Sequence, residues 1–258
     1  MRPMAEHTTE TPLSSRARPS FPHYEDADVH ASSDEYAARF GDSVGQWMLT
    51  AQESALFSLV DQECTTVLDV GGGHGQIAIP LAQTERSVTV LGSSPVCAAR
   101  LSSQIEQGTV SFQSGNLLEL PYDNKSFDLT TSFRLLSHCV AWRQLVAELC
   151  RVSEHAVIID YPVWFSVNIL TPLLFSLKRA IEGNTRTYRM FSTWELSQEF
   201  RKHGFKLEKS EKLFVWPMAL HRALKSTSIS QKLETPAKLL LLTKLFGSPV
   251  VAKFVREK

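Results

Sequence analysis

Val67-Leu68-Asp69-Val70-Gly71-Gly72-Gly73-His74-Gly75-Gln76 is the stretch that decides the fold. Thr65 to Val70 is β-branched and apolar, carries one acid near its end and is too short for a helix. It reads as a buried parallel strand. Glycines follow at once, and Ile77 to Ala82 resumes an apolar run. The pattern is strand, tight turn, helix. One glycine is enough for a turn. Four in five positions strip the Cβ atoms from the sharpest part of the chain, so a ligand can approach the main chain closely. The helix start then offers free N–H groups. Two nucleotide loops are excluded by spacing. Gly71-x-Gly73-x-x lands on Gln76, which breaks G-x-G-x-x-G, and no Gly-Lys-Ser/Thr follows for a P-loop.

Downstream the same unit recurs. Val88 to Leu91, Val110 to Phe112, Phe127 to Ser132 and Ala156 to Asp160 read as strands two to five. Helical stretches at 76–84, 95–107 and 135–153 separate them, with Pro95 just inside its helix, where a missing N–H costs nothing. Alternating β and α units predict a parallel sheet with helices on both faces. Ligands of such sheets sit beyond the carboxyl ends of the strands. That singles out Asp69 to Gly75, Gly92 to Ser94, Gly115 to Leu117, Ser132 to Arg134 and Asp160 to Pro162.

The flanks differ. Residues 1–30 are rich in Pro, Ser, Thr, His and charge without an apolar period, the signature of a disordered tail. Residues 31–64 turn helical, with Ser33 as a cap and Tyr36, Phe40, Val44, Trp47 and Met48 near one face. This cover leads into the core, residues 65–162. Residues 163–191 form an insertion, apolar and then basic. In 192–258, Ser192 to His203 reads as a capped helix stopped by Gly204. Phe205 to Val215 is a sixth strand, Met218 to Phe246 is mainly helical, and Pro249 to Val255 is a seventh strand.

With 258 residues, 43% of them apolar, the chain has ample core for one large domain. Its formal net charge is zero, so no global field draws it to nucleic acid. The last third differs, however. Residues 1–177 hold 10 Lys and Arg against 20 Asp and Glu, and residues 178–258 hold 17 against 7. Cys64, Cys97, Cys139 and Cys150 lack C-x-x-C or zinc spacing, so no metal is expected and a reducing, cytoplasmic setting fits. No signal pattern opens the chain. The uncharged run Tyr161 to Leu177 is broken by two prolines and suits a membrane span poorly.

At Asp69 to Gly75, and at Gly115-Asn116-Leu117 with Leu120-Pro121-Tyr122 and Ser126-Phe127-Asp128, the sequence resembles the class I S-adenosylmethionine-dependent methyltransferases of small molecules. The likeness runs from about Thr65 to Pro162 and more loosely to the C-terminus. It implies a Rossmann-like fold with seven mostly parallel strands and helices on both faces, to which this chain adds a helical insertion before the last strand. It also implies S-adenosylmethionine as cofactor. Asp69 would organise the ammonium side, and Gly71, Gly73 and Gly75 would line the cofactor. Ser93 and Ser94 would stand at the ribose, Asn116 and Leu117 at the adenine, and Phe133 at the end of the fourth strand. Two positions depart from the family pattern. Gly92 stands where an acid usually takes both ribose hydroxyls, and Asn116 replaces an acid, although a carboxamide oxygen still accepts from an amino group. Losing one charge-assisted bond costs about 1.5–3 kcal/mol.

The acceptor side offers His138, Tyr161, Arg186, Tyr188 and Arg189 as candidates. Two guanidiniums beside an aromatic suit a carboxylate, phosphate or aromatic acceptor. Methyl transfer to a small, partly hydrophobic molecule is the expected reaction. Alternatives are a non-catalytic cofactor-binding scaffold, or a peripheral lipid- or quinone-type methyltransferase that touches membranes through its basic, Leu-rich C-terminal third.

Overall fold

The computed structural model describes residues 25–164 and 188–257. Three helices lead in: α1 (Ala27–Ala31), α2 (Asp34–Ala38) and α3 (Ser43–Phe57). Ser33 caps α2 by accepting from the Tyr36 amide, and Asp42 caps α3 by accepting from Gly45. The core follows as β1 (Thr66–Val70), α4 (Ala78–Ala82), β2 (Ser87–Gly92), a 3-10 turn of helix (Pro95–Leu101), α5 (Ser102–Glu106), β3 (Val110–Ser114), β4 (Phe127–Ser132), α6 (Trp142–Val152) and β5 (Ser153–Tyr161). The chain ends with α7 (Thr193–Lys202), β6 (Phe205–Phe214), α8 (Met218–Leu224), α9 (Thr227–Leu239), α10 (Leu242–Phe246) and β7 (Ser248–Arg256).

The seven strands form one sheet in the order β3-β2-β1-β4-β5-β7-β6. β1 to β5 are parallel, and β7 runs antiparallel to both neighbours. Successive β1 residues feed opposite cores. Leu68 and Val70 pack with α6 and α7 through Trp142, Leu145, Leu149, Leu196 and Phe200, whereas Val67 packs with α3 and α4 through Val44, Met48, Leu56, Ala78 and Leu81. Both faces are covered, which is why the parallel strands are apolar throughout.

Three expectations are corrected. The disordered tail was drawn to residue 30, but Glu25 to Ala31 is ordered, contains α1 and buries Asp28; residues 1–24 lie outside the described residues. The helix expected over 135–153 begins only at Trp142. Arg134 has φ +58° and gives its N–H to Asp160 Oδ1 at 2.6 Å, which holds the following turn out of helix. The helical cover expected over residues 31–64 ends as helix at Phe57.

The insertion between β6 and β7 is helical, as the pattern implied. Glu234 in α9 anchors it. Its carboxylate accepts from the amides of Val215 at 3.1 Å and Trp216 at 3.0 Å, and lies 3.0 Å from His221 Nε2 in α8.

Candidate active site

The carboxyl ends of β1, β2 and β3 are tied into one rim. Gly71 donates to the Leu91 carbonyl at 2.8 Å, and Gly115 donates to the Gly92 carbonyl at 2.9 Å. Gly71 has φ +77°, which a side chain would oppose. At Gly73 the constraint is space: a Cβ would lie 2.4 Å from Ser32 Oγ and 2.5 Å from the Cys97 carbonyl.

Asp69 is buried beneath this turn. Its Oδ1 accepts from the Thr131 hydroxyl at 2.8 Å, and its Oδ2 has no partner. Burial pushes its pKa up to about 7, with the Thr131 bond pulling the other way. His74 projects from the same turn between the edges of Tyr36 and Phe40, with ring centroids 6.0 and 6.1 Å away. Neither of its ring nitrogens has a partner. Burial lowers its pKa to about 4, helped by the charges of Arg134 and Arg100, so the ring is neutral at pH 7.

Beside it lies a polar network that joins β4, β5 and α3. Asp160 accepts from the Arg134 amide and, at 2.6 Å, from Gln52 Nε2. The Gln52 carbonyl oxygen in turn accepts from Arg134 Nη2 at 3.1 Å and from Gln76 Nε2. Arg134 stacks its guanidinium 4.1 Å from the Phe40 ring centroid, and its Nη1 has no partner. Burial raises the Asp160 pKa against the pull of Arg134 and Gln52. One end of the sheet thus carries carboxylate, guanidinium and imidazole groups with bonding capacity left over.

The candidates read from sequence separate here. Asp69, Gly71, Gly73, Gly75 and Ser93 belong to the rim, and Ser94 precedes the 3-10 turn beside it. Asn116 spends its carboxamide oxygen on the Leu118 amide at 3.0 Å, an Asx turn. Leu117 and Phe133 are buried in opposite cores. Tyr161 is a core residue whose hydroxyl lies 3.1 Å from Thr193 Oγ1. Arg189 is committed elsewhere. It contacts Glu195 at 2.6 Å, lies 5.2 Å from the Trp142 ring centroid, and donates its amide to the Ser137 carbonyl. His138 and Tyr188 stand together, ring centroids 5.7 Å apart. Arg186 and most of the 163–191 insertion lie outside the described residues. The two ends of that insertion are zipped at the edge of β5, where Phe191 donates to the Pro162 carbonyl and Trp164 to the Phe191 carbonyl.

Sequence reasoning missed Asp28 and Gln52, and gave His74 and Arg134 no role although both lie in the stretches it singled out. Arg134 lies inside a singled-out turn and Gln76 directly follows another, and that placement was the available signal. Asp28 and Gln52 come from the helical cover, where nothing in the local pattern marks them.

Comparison with known proteins agrees with this geometry. Residues 67–155 match the family described as a methyltransferase domain. Residues 67–155 thus resemble a methyltransferase domain, and the fold around them is shared with solved methyltransferases. Over 103 residues, 37% of the chain, it is 32% identical to a demethylmenaquinone methyltransferase of Deinococcus radiodurans, of which the match covers 43%. Over 136 residues, 49% of the chain, it is 35% identical to a protein of Oryza sativa subsp. japonica named "Probable tocopherol O-methyltransferase, chloroplastic", of which it covers 37%. The chain therefore spans less than half the length of these curated relatives. In fold, the methyltransferase domain and its flanks superpose on magnesium protoporphyrin IX methyltransferase from Synechocystis PCC 6803 with bound SAH. The TM-score is 0.59 at 14% identity, over 87% of this chain and 94% of that one.

Proposed function

We propose that the protein binds S-adenosylmethionine at the Gly71–Gly75 rim and transfers its methyl group to a small, lipid-soluble acceptor. The observation that carries this reading is the set of unused polar atoms at one end of the sheet. The amino-acid end of the cofactor is a zwitterion and needs an acceptor for its ammonium and a cation for its carboxylate. Asp69 Oδ2 and Arg134 Nη1 are a buried acceptor and a guanidinium donor without partners. The glycine turn leaves room for main-chain contact between them. The residues present therefore fit the cofactor.

When bound, the cofactor would supply a methyl group already activated on a sulfonium. The protein's own task is alignment and exclusion of water, which together can supply much of the acceleration. Tyr36, Phe40 and the neutral His74 wall the site with rings, and His138 and Tyr188 stand at the same edge as the Arg134 turn. An acceptor hydroxyl would need a base only if it arrives protonated.

The lipid-soluble class is supported by two observations. The relatives quoted above are named for quinone and tocopherol substrates. The insertion α8–α10 leaves the sheet at Phe214 and returns at Ser248, which pair with each other at the same edge as the end of β5. It exposes Leu239, Leu240, Leu241, Leu245 and Phe246 beside Lys238 and Lys244. No acid lies between Thr235 and Arg256. Apolar side chains flanked by lysines suit an anionic membrane surface. Among the described residues no helix is long and apolar enough to cross a membrane.

The test is transfer of labelled methyl from the cofactor to paired phenolic and quinol acceptors, with and without a prenyl chain, in the presence of anionic vesicles. The expected outcome is product with the prenylated acceptor and co-sedimentation with the vesicles. Tight binding of S-adenosylhomocysteine with no transfer to any acceptor would instead favour the non-catalytic scaffold.

A further inference from the structure

The methyltransferase domain has glycine at position 92, where an acid would be expected to hold the ribose, and the structure accounts for that glycine. A Cβ at Gly92 would lie 2.7 Å from Cys97 Cβ and 3.0 Å from the Phe112 ring, so the end of β2 has no room for a side chain. A carboxylate nevertheless reaches this point from another element. Asp28 of α1 is 1% exposed. Its Oδ2 accepts from the Ser93 amide at 2.7 Å and from Cys97 Sγ at 3.4 Å. Its Cβ lies 3.5 Å from where a Cβ on Gly71 would be, so the side chain bridges the glycine turn and the end of β2. Its other oxygen, Oδ1, is buried without a partner.

We infer that Asp28 supplies the carboxylate that binds the cofactor's ribose hydroxyls, in place of the acid that Gly92 cannot carry. This rests on the cofactor reading above. The Ser93 amide fixes the rotamer through one oxygen and leaves the other to accept from a hydroxyl. A buried acceptor with no bond costs free energy that a ligand's hydroxyl would recover. The helix that carries Asp28 is docked independently. Glu25 Oε2 accepts from the Val140 amide at 3.2 Å, and Ser32, whose hydroxyl bonds the Asp28 carbonyl at 2.8 Å, packs over Gly73. The segment that composition alone assigns to a tail is thereby part of the cofactor site.

The alternative is that Asp28 only fills the space a ribose would need, as a plug. The two accounts predict opposite signs. Calorimetric titration of S-adenosylhomocysteine and of its 2′,3′-dideoxy analogue into wild type, Asp28→Asn and Asp28→Ala separates them. We expect Asp28→Ala to weaken S-adenosylhomocysteine binding by about ten- to a hundredfold, the loss of charge-assisted bonds, with Asp28→Asn intermediate. The dideoxy analogue should bind wild type and variants alike, because it lacks the hydroxyls in question. Unchanged or tighter binding of S-adenosylhomocysteine to Asp28→Ala overturns the inference. So does an equal loss with both ligands, which would mark a structural role. If wild type binds neither ligand, the cofactor reading itself fails and the inference with it.

Discussion

The two ends of the β-sheet treat their charged groups differently. At the amino ends of the strands several are spent on neighbouring segments. Asp128 Oδ2 alone accepts from the amides and hydroxyls of Thr65 and Thr66, at 2.8 to 3.0 Å. Arg86 donates to the carbonyls of Cys64 and Asp61. Arg151 reaches the carbonyls of Leu120 and Tyr122 as well as Glu148. Arg256 closes the carbonyls of Cys150, Ser153 and Glu154. At the carboxyl ends, Asp28, Asp69, His74 and Arg134 each keep an atom without a partner. One end spends its polar groups on holding the strands in register. The other withholds them, and unspent bonding capacity at a strained backbone marks a site.

Four results would break or sharpen that contrast. The largest effect is expected at the closed end. Asp128→Ala leaves several donors without their acceptor and should cost about 3 kcal/mol of stability, roughly a 6–12 °C fall in Tm, with S-adenosylhomocysteine affinity unchanged. A comparable loss of affinity would erase the division between the ends.

Arg134→Met comes next, with the opposite signature. Affinity for S-adenosylhomocysteine should fall by about tenfold, the worth of one charge-assisted contact. An analogue lacking the carboxylate should show no such fall. If both ligands weaken together, Arg134 acts through packing on Phe40 and not on the ligand.

The third concerns pH. Asp69 has its folded pKa raised from 3.8 to about 7, so the folded state holds the proton longer than the unfolded one and stability from this group falls as pH rises through that interval. His74 is lowered from 6.5 to about 4, so its contribution rises with pH between those values. The two oppose each other in wild type. Buried Asp28 and Asp160 are also raised and add to the falling limb, so Asp69→Asn should make that limb shallower in chemical denaturation and leave the His74 contribution intact. A falling limb of unchanged slope in that variant would show that Asp69 is not its source.

The smallest effect is expected at Arg189. Its bond to Glu195 is partly solvated, so Arg189→Ala should cost at most about 1 kcal/mol and leave ligand affinity alone. A large loss of affinity would return this residue to the site.

Much of this was legible in the sequence, for definable reasons. The parallel core followed from short apolar strands alternating with helical stretches, and the glycine turn from residues that only a ligand or a close neighbour would require. The Ser126-Phe127-Asp128 signature is locally readable, yet Asp128 turns out to pin β1 to β4 and lies away from the glycine rim. Asp28 was not legible. One of three acids at the end of a Pro- and Ser-rich stretch has no period to mark it out, and its role depends on a contact with Ser93, 65 residues away. Gln52 meets Asp160 across 108 residues and was hidden for the same reason. The late start of α6 is a tertiary effect too, because Asp160 fixes the left-handed turn at Arg134 from which the chain leaves β4.

The most direct test of the open-end account is amide hydrogen exchange of the full chain with and without saturating S-adenosylhomocysteine. Protection is expected at residues 69–76, at 92–97 and at 27–32, where the rim and α1 would close on the ligand. Residues 122–128 and 151–154 at the opposite end should exchange as in the free protein. No change at 69–76, or protection confined to the opposite end, would contradict the account.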